Sequence, residues 1–155
     1  MSARDEVLKT LELNRGEFFS GQRLADEVGV SRNAVWKAVN ALKKEGYEIE
    51  SATNRGYCLK ADTDILSKEG ICCYASPKEL YVFGETDSTN EEAKRLITRG
   101  ASNGTLVVAN RQTAGKGRRG RGFYSPADTG IYMSVILQPE IELAESVLIT
   151  TAASV

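Results

Sequence analysis

Histidine is absent from these 155 residues. With it go the commonest general base at neutral pH and the commonest imidazole metal ligand. Cysteine is scarce: there are three, two of them adjacent at Cys72 and Cys73. That number and spacing make neither a disulfide framework nor a zinc set, so reduced thiols in a cytoplasmic protein are expected, with no structural metal. No run of about eighteen apolar residues occurs, so no membrane partner is expected. The N-terminal MSARDEVLKTLEL is charged and has no signal-peptide core. An excess of one charge is missing as well. Twenty cations against 21 acids leave a net charge of −1, so partners must be sought in how the charge is distributed.

The distribution is uneven. Residues 32–60 hold six cations and three acids. Residues 109–126, ANRQTAGKGRRGRGFYSP, hold five cations and four glycines and no carboxylate. Acids crowd elsewhere, at Glu91, Glu92, Glu140, Glu142 and Glu145. Two basic surfaces on a neutral chain point to two anion-binding tasks. The length suits one ordinary domain or two small ones.

The front of the chain reads as helices. Residues 3–14 carry Val7, Leu8 and Leu11 on one face and end at Gly16. Ser20 opens a second helix with Leu24, Ala25 and Val28 inward, and Gly29 turns the chain. Ser31 is a good N-cap for a third helix running to Glu45 and closed by Gly46. Val35, Ala38, Val39 and Leu42 make its buried stripe. Its outer face presents Arg32, Asn33, Trp36, Lys37, Asn40, Lys43 and Lys44. This is the helix-turn-helix pattern; a plain three-helix bundle with a solvated basic face is the bland alternative. A strand at Tyr47–Glu50, a turn at Thr53–Gly56 and a return strand at Tyr57–Leu59 add a wing. Arg55 and Lys37 are then candidate phosphate contacts, and Arg32, Asn33 and Asn40 candidates for base edges.

A short helix is expected from Asp62 to Gly70, with the domain boundary near residue 62 and a connector to about 78. Leu80–Phe83 reads as a buried strand. Ser88, Thr89 and Asn90 then precede a helix with Ala93, Leu96 and Ile97 inward. Ser88 or Thr89 can cap that helix, with Glu91 or Glu92 closing a capping box. The same hydroxyls and amide can instead form a polar ligand site. Thr105–Ala109 is a strand buried on both faces. Gly130–Leu137 is a third strand, and a further helix starts near Leu143 with Val147, Leu148 and Ala152. Three strands and so few helices are too little for a closed core, so the front part of a longer protein is expected.

Gly115–Gly120 matches GxGxxG, but Arg121-Gly122-Phe123-Tyr124-Ser125-Pro126 cannot open the helix a dinucleotide fingerprint needs. Gly115-Lys116 is followed by Gly117, so a Walker A loop fails too. What survives is a cationic flap at strand ends that folds over a small anionic ligand and excludes water; a DNA contact by an RGG-like segment and a merely solvated basic loop are the alternatives.

Three stretches carry a resemblance. Asp87-Ser88-Thr89-Asn90, Gln112-Thr113-Ala114-Gly115-Lys116-Gly117-Arg118-Arg119-Gly120-Arg121 and Phe123–Pro126 with Gly130–Ser134 resemble the catalytic domain of biotin protein ligases. The preceding Ser31-Arg32-Asn33-Ala34-Val35-Trp36-Lys37 and Asn54-Arg55-Gly56-Tyr57 resemble the DNA-binding domain of bifunctional members, the biotin operon repressors of the BirA type. The resemblance implies an α+β chain. Residues 1–62 would be a winged helix-turn-helix, 63–78 a connector, and 79–155 the start of a class II synthetase-like mixed α/β catalytic domain. It implies a ligase that makes biotinyl-5′-AMP from biotin and ATP with Mg²⁺ and passes biotin to a lysine of a biotin carboxyl carrier protein. Operator DNA and a ligand-promoted homodimer are the other implied partners.

Residue by residue, Ser88, Thr89, Asn90 and Gln112 would line the biotin site. Gly115, Lys116, Gly117 and Arg118 would close on the biotin carboxylate and the adenylate phosphate. Arg118 would be catalytic by stabilising charge on the phosphate, and Arg119 and Arg121 would help order the flap. Ser31, Arg32, Asn33, Trp36, Lys37, Asn40 and Arg55 would serve DNA. Two departures stand out. Lys116 replaces the arginine of many relatives, trading a fork for a point charge. The family's Lys-Trp-Pro-Asn-Asp-type segment does not occur, so weak or no ligase activity is expected of the chain alone. A DNA-binding regulator with a ligand-sensing remnant and a lipoate-type ligase are the competing readings.

Overall fold

A computed structural model describes residues 2–141 and the single position 149. The helix expected from Leu143, with Val147, Leu148 and Ala152, lies outside the described residues. The first three helices are α1 (Ala3–Leu13), α2 (Gly21–Val28) and α3 (Arg32–Lys44). Each starts where a serine hydroxyl accepts a backbone N–H: Ser2 from Asp5, Ser20 from Arg23, Ser31 from Ala34. Gly29 sits at φ 73 between α2 and α3, a conformation that favours glycine. Val7, Leu8, Leu11, Leu24, Val35, Val39 and Leu42 are fully or nearly fully buried together. Burying such side chains contributes about 1.5–3 kcal/mol each, which makes this core the chief source of stability in the front half.

The wing is an antiparallel pair, β1 (Ile49–Ala52) and β2 (Gly56–Leu59), with Ile49 opposite Leu59 and Ala52 opposite Gly56. The first strand starts two residues later than the alternation of Tyr47–Glu50 implied. Tyr47 is buried in the helical core instead of lying in the ladder. Gly56 has φ 100, and a Cβ there would lie 2.0 Å from the Phe19 carbonyl oxygen. That close approach lets Phe19 and Tyr57 exchange backbone hydrogen bonds of 2.8 Å, which tie the wing to the α1–α2 turn.

The connector helix is displaced from its expected place. It forms as α4 (Lys68–Tyr74), capped by Ser67, so Gly70 lies inside it and does not end it. The Ser67 hydroxyl accepts the Gly70 N–H at 3.0 Å, a stronger start signal than Asp62–Asp64. α4 packs on α1, beside a fully buried Glu12. Arg15 reaches Glu12 Oε2 at 2.7 Å and donates to the Thr63 carbonyl at 2.7 Å. Glu12 Oε1 and Thr63 Oγ1 have no protein partner.

The second half is built on a three-stranded sheet of order β3-β4-β5: β3 (Leu80–Thr86), β4 (Thr105–Gln112) and β5 (Tyr132–Ile136). β3 and β4 are parallel, joined through helix α5 (Thr89–Thr98); β4 and β5 are antiparallel. Ala93, Leu96, Val107 and Ile136 form its core, with Tyr81 and Phe83 against it. β4, in the middle, is buried as expected, with Val107, Val108 and Ala109 at most 3% exposed. The Leu80–Phe83 segment is only half-buried, because β3 is an edge strand. Ile97 faces outward rather than inward, and β5 leaves Met133 and Val135 exposed.

Candidate ligand cleft and DNA-facing surface

The cleft forms where three stretches of chain meet at the ends of β3 and β4. β3 delivers Asp87 and Ser88 to the first turn of α5. β4 delivers Gln112, registered against Thr86, into the cationic loop. β5 brings Tyr132, Met133 and Ser134 alongside. Ser88, Thr89, Asn90, Gln112, Lys116, Gly117, Phe123, Ile131, Tyr132 and Met133 line a cleft of about 380 Å³.

Ser88 is the N-cap of α5 by its backbone, but its side chain makes no capping bond, and the expected capping box does not form. The cap is replaced from outside the helix. Gln112 Oε1 accepts the Thr89 N–H at 2.7 Å and lies 3.2 Å from the Thr89 hydroxyl. Asp87 accepts the Ser88 N–H at 2.7 Å and pairs with Arg95. Arg95, the Ser88 N–H and the Thr86 hydroxyl hold the Asp87 carboxyl well below the usual carboxylate range. Gln112 is thus oriented by α5, and its amide NH₂ donates to Ser125 Oγ at 3.0 Å. Ser134 Oγ lies 2.9 Å from Thr89 Oγ1 and 2.7 Å from Asn90 Oδ1. A hydroxyl has one proton, so it serves one of these acceptors at a time. Ser88 and Thr89 are buried, at 1% and 4% exposure. At that depth Thr89 is satisfied from within the protein, by Gln112 and Ser134.

The loop is more ordered than its glycines and charges implied. Lys116 bridges to Gly122, and Gln112 to Ser125. The Gly117 N–H donates to the Arg121 carbonyl at 2.7 Å, and the Phe123 N–H to the Gly115 carbonyl at 2.8 Å. Arg118–Gly120 turn as a short 3₁₀ segment with Arg119 at φ 58. Gly115 is buried under this ladder: a Cβ there would lie 2.5 Å from the Phe123 carbonyl oxygen and 2.6 Å from Ser125 Oγ. Two anionic side chains take up loop charge. Glu91 meets Lys116 at 2.6 Å, and Glu85 meets Arg111 at 2.9 Å.

Of the expected binding residues, Ser88, Thr89, Asn90, Gln112, Lys116 and Gly117 come together in the cleft. Gly115 lies beneath the loop. Arg119 and Arg121 are exposed and do not line the cleft. The Arg118 side chain is outside what the structure describes. Sequence reasoning missed Phe123, Ile131, Tyr132 and Met133 as walls and Ser134 as a hydroxyl partner. The signal for Ser134 was its position on a β5 face otherwise occupied by buried Tyr132 and Ile136.

Around α3, the groove between that helix and the wing is lined by Arg32, Asn33, Trp36, Thr53, Asn54 and neighbours, with a volume of about 830 Å³. Trp36, Lys37, Asn40, Lys43 and Lys44 line the adjoining face of α3. Trp36 is 55% exposed on this face. Ser31 is occupied as the helix cap. Arg55 is exposed at the wing with its guanidinium 3.8 Å above the Phe18 ring. That cation–π contact joins the wing tip to the segment between α1 and α2. Among the described residues, no group of three His, Cys, Asp or Glu side chains could hold a metal ion. No described helix is long and apolar enough to cross a membrane.

Residues 4–58 match a family described as an HTH domain, and residues 82–154 the Biotin/lipoate A/B protein ligase family. Over 98% of its length the chain is 37% identical to the bifunctional ligase/repressor BirA of Bacillus subtilis, covering 48% of that protein. It is 31% identical to the Escherichia coli bifunctional ligase/repressor BirA over 83% of the chain and 40% of the relative. The chain spans about half the length of the curated relatives it matches. A solved Aquifex aeolicus biotin protein ligase, in complex with biotin and ATP, is 43% identical over 41% of this chain and 25% of its own, with a TM-score of 0.34.

Proposed function

The chain belongs to the bifunctional ligase/repressor family, with an HTH domain followed by a segment of the Biotin/lipoate A/B protein ligase family, and from that premise we propose that its cleft binds biotin and activates it with ATP. The observation that carries this reading is convergence. Ser88–Asn90 are separated from Gln112 and Lys116–Gly117 by more than twenty residues, yet all of them line one cleft. Ser88, Thr89, Asn90 and Gln112 would meet the polar ring of biotin. Phe123, Ile131 and Met133 would cover its apolar parts. Lys116 and the loop amides would meet the carboxylate.

The reaction proposed joins a biotin carboxylate oxygen to the α-phosphorus of ATP as the bond to pyrophosphate breaks. A lysine amine of a carrier protein then attacks the activated carbonyl, and AMP leaves. Arg118 would face the phosphate, where a fixed cation is strongest because charge grows there during attack. Arg119 and Arg121 would order the loop and hold the triphosphate. Mg²⁺ would arrive with ATP and neutralise its phosphates. Excluding water matters, because the mixed anhydride hydrolyses if exposed. Ser125, held by Gln112, and the Gly115–Phe123 ladder hold the loop beside the site.

A second task is proposed for the front half: repression by operator binding. Arg32, Asn33, Trp36, Lys37 and Asn40 form one basic face on α3, and Arg55 stands on the wing. Homodimerisation would place two such faces on a two-fold site.

The test of the ligase reading is incubation with biotin, ATP and Mg²⁺, followed by mass spectrometry for biotinyl-5′-AMP. It is run on this chain and on the chain continued through its reading frame. Adenylate from biotin and not from lipoate supports the reading. Adenylate from lipoate alone turns it into a lipoate ligase. No adenylate from either protein, with retained DNA binding, leaves the regulator-only reading.

A further inference from the structure

Lys116 reaches the cleft already engaged. Its ammonium lies 2.6 Å from Glu91 Oε1, on the first turn of α5 and one residue beyond Asn90. Lys94 Nζ lies 3.0 Å from the same oxygen. The Glu91 side chain is 26% exposed, against 57% for Lys116, so the anion is the more fixed partner. Hydrogen bonds from Lys116 and then Lys94 lower the pKa of the Glu91 carboxyl, which keeps it charged. The Lys116 backbone is fixed separately, by its bridge to Gly122 and by the Gly117-to-Arg121 bond. Among the described side chains, the Gly115–Gly122 part of the loop is tied to α5 by this pair, and within itself by its backbone.

We propose that Glu91 is a specificity-determining residue of the cleft: an internal carboxylate that occupies Lys116 and that an incoming ligand carboxylate must displace. The inference rests on the reading of Lys116 as the group that meets the ligand's carboxylate. Displacement is an exchange of one anion for another on one ammonium, with no covalent bond made or broken. A ligand carboxylate restores the charge pairing it disrupts. A neutral analogue does not, so the cleft discriminates by charge before it discriminates by shape. Lysine suits this exchange. It is a point charge with rotatable donors, and it changes partners without the loss of a two-pronged geometry that arginine would suffer. The exchange also frees the loop from α5 as the ligand enters, which couples loop position to occupancy.

The experiment uses the full chain and four variants: Glu91→Gln, Lys116→Gln, the double variant, and Glu92→Gln. The last removes the same charge from the same helical turn without touching Lys116. Calorimetric titrations compare biotin with biotinol, its uncharged alcohol. Glu91→Gln is expected to tighten biotin about two- to five-fold, the range of an exposed ion pair. It should leave biotinol unchanged and have no effect in the Lys116→Gln background. An equal gain in that background, or with Glu92→Gln, means a general field effect and overturns the proposal; so does no gain at all. A separate arm needs no ligand. Amide exchange at Gly117 and Phe123 should quicken in Glu91→Gln, and no more in the double variant than in either single one. Unchanged exchange overturns the proposal. If neither probe binds the unmodified chain, the biotin reading fails, and the exchange arm still decides whether Glu91 restrains the loop.

Discussion

Gly115 is the position where a single carbon atom does most to the cleft. An alanine Cβ would stand 2.5 Å from the Phe123 carbonyl oxygen, 2.6 Å from Ser125 Oγ and 3.1 Å from Gln112 Nε2. Carbon–oxygen contacts relax to roughly 3.3 Å or beyond, so the Phe123–Ser125 segment must retreat by almost 1 Å. The serine side chain alone can rotate; the Phe123 carbonyl belongs to the backbone and cannot. That retreat stretches the 2.8 Å Phe123 N–H bond to the Gly115 carbonyl and the 3.0 Å Gln112-to-Ser125 bond past useful length. Two hydrogen bonds at about 1 kcal/mol each give about 2 kcal/mol, or roughly 30-fold in the loop's opening equilibrium. Hydrogen exchange read residue by residue is the assay. In Gly115→Ala the Phe123 and Gly117 amides should exchange about 30-fold faster, while Leu11 and Val39 in the helical core stay unchanged. Biotin affinity should fall in parallel, because Gln112 loses one of its restraints. Unchanged exchange at Phe123 would refute the ladder as the structure that holds the loop.

Arg15→Ala should destabilise the front half by about 2–3 kcal/mol in chemical denaturation, because it leaves Glu12 fully buried and unpaired; a loss under about 0.5 kcal/mol would contradict that reading. Arg55→Ala should weaken DNA binding at all sequences alike and reduce the salt slope by about one counterion; an unchanged slope would remove Arg55 from the DNA contact. Asp87 gives a pH prediction. Its folded pKa is depressed by Arg95 first, so its stabilisation is complete above the ordinary value of 3.8 and is lost as pH falls through the lower folded value. Carboxyl NMR should find its midpoint below 3.8, and Asp87→Asn should remove the acid-dependent loss of protection at the start of α5. A midpoint at or above 3.8 would show that the Asp87–Arg95 pair does not persist in solution.

The front half was legible because its signals are local. Ser20, Ser31, Gly29 and the Val35–Leu42 stripe each specify structure within a few residues. Ser67 was overlooked because Asp62–Asp64 offered the same chemistry earlier. What decided between them was tertiary: α4 has to lie on α1 beside Glu12, and only the later start places it there. At the cleft the residue identities were legible, but the connections were not. Ser88-Thr89-Asn90 with Glu91 and Glu92 satisfies the spacing of a capping box. The structure assigns those groups elsewhere: Gln112 caps the helix from a strand more than twenty residues on, Glu91 goes to Lys116, and Glu92 goes to Arg95. Spacing along one helix carries no record of a partner from another strand. The loop's order was hidden for the same reason. Composition shows cations and glycines, whereas the restraint comes from which backbone amides face one another after the turn at Arg119.

The central claim is that Thr89, Gln112 and the loop at 115–117 form one biotin site. Its most direct test is an NMR titration of the labelled chain with biotin and, separately, with lipoate. Saturable shifts are expected at the Thr89, Gln112, Lys116 and Gly117 amides with biotin, and none of comparable affinity with lipoate. Shifts confined to other residues, or lipoate binding as tightly as biotin, would contradict it.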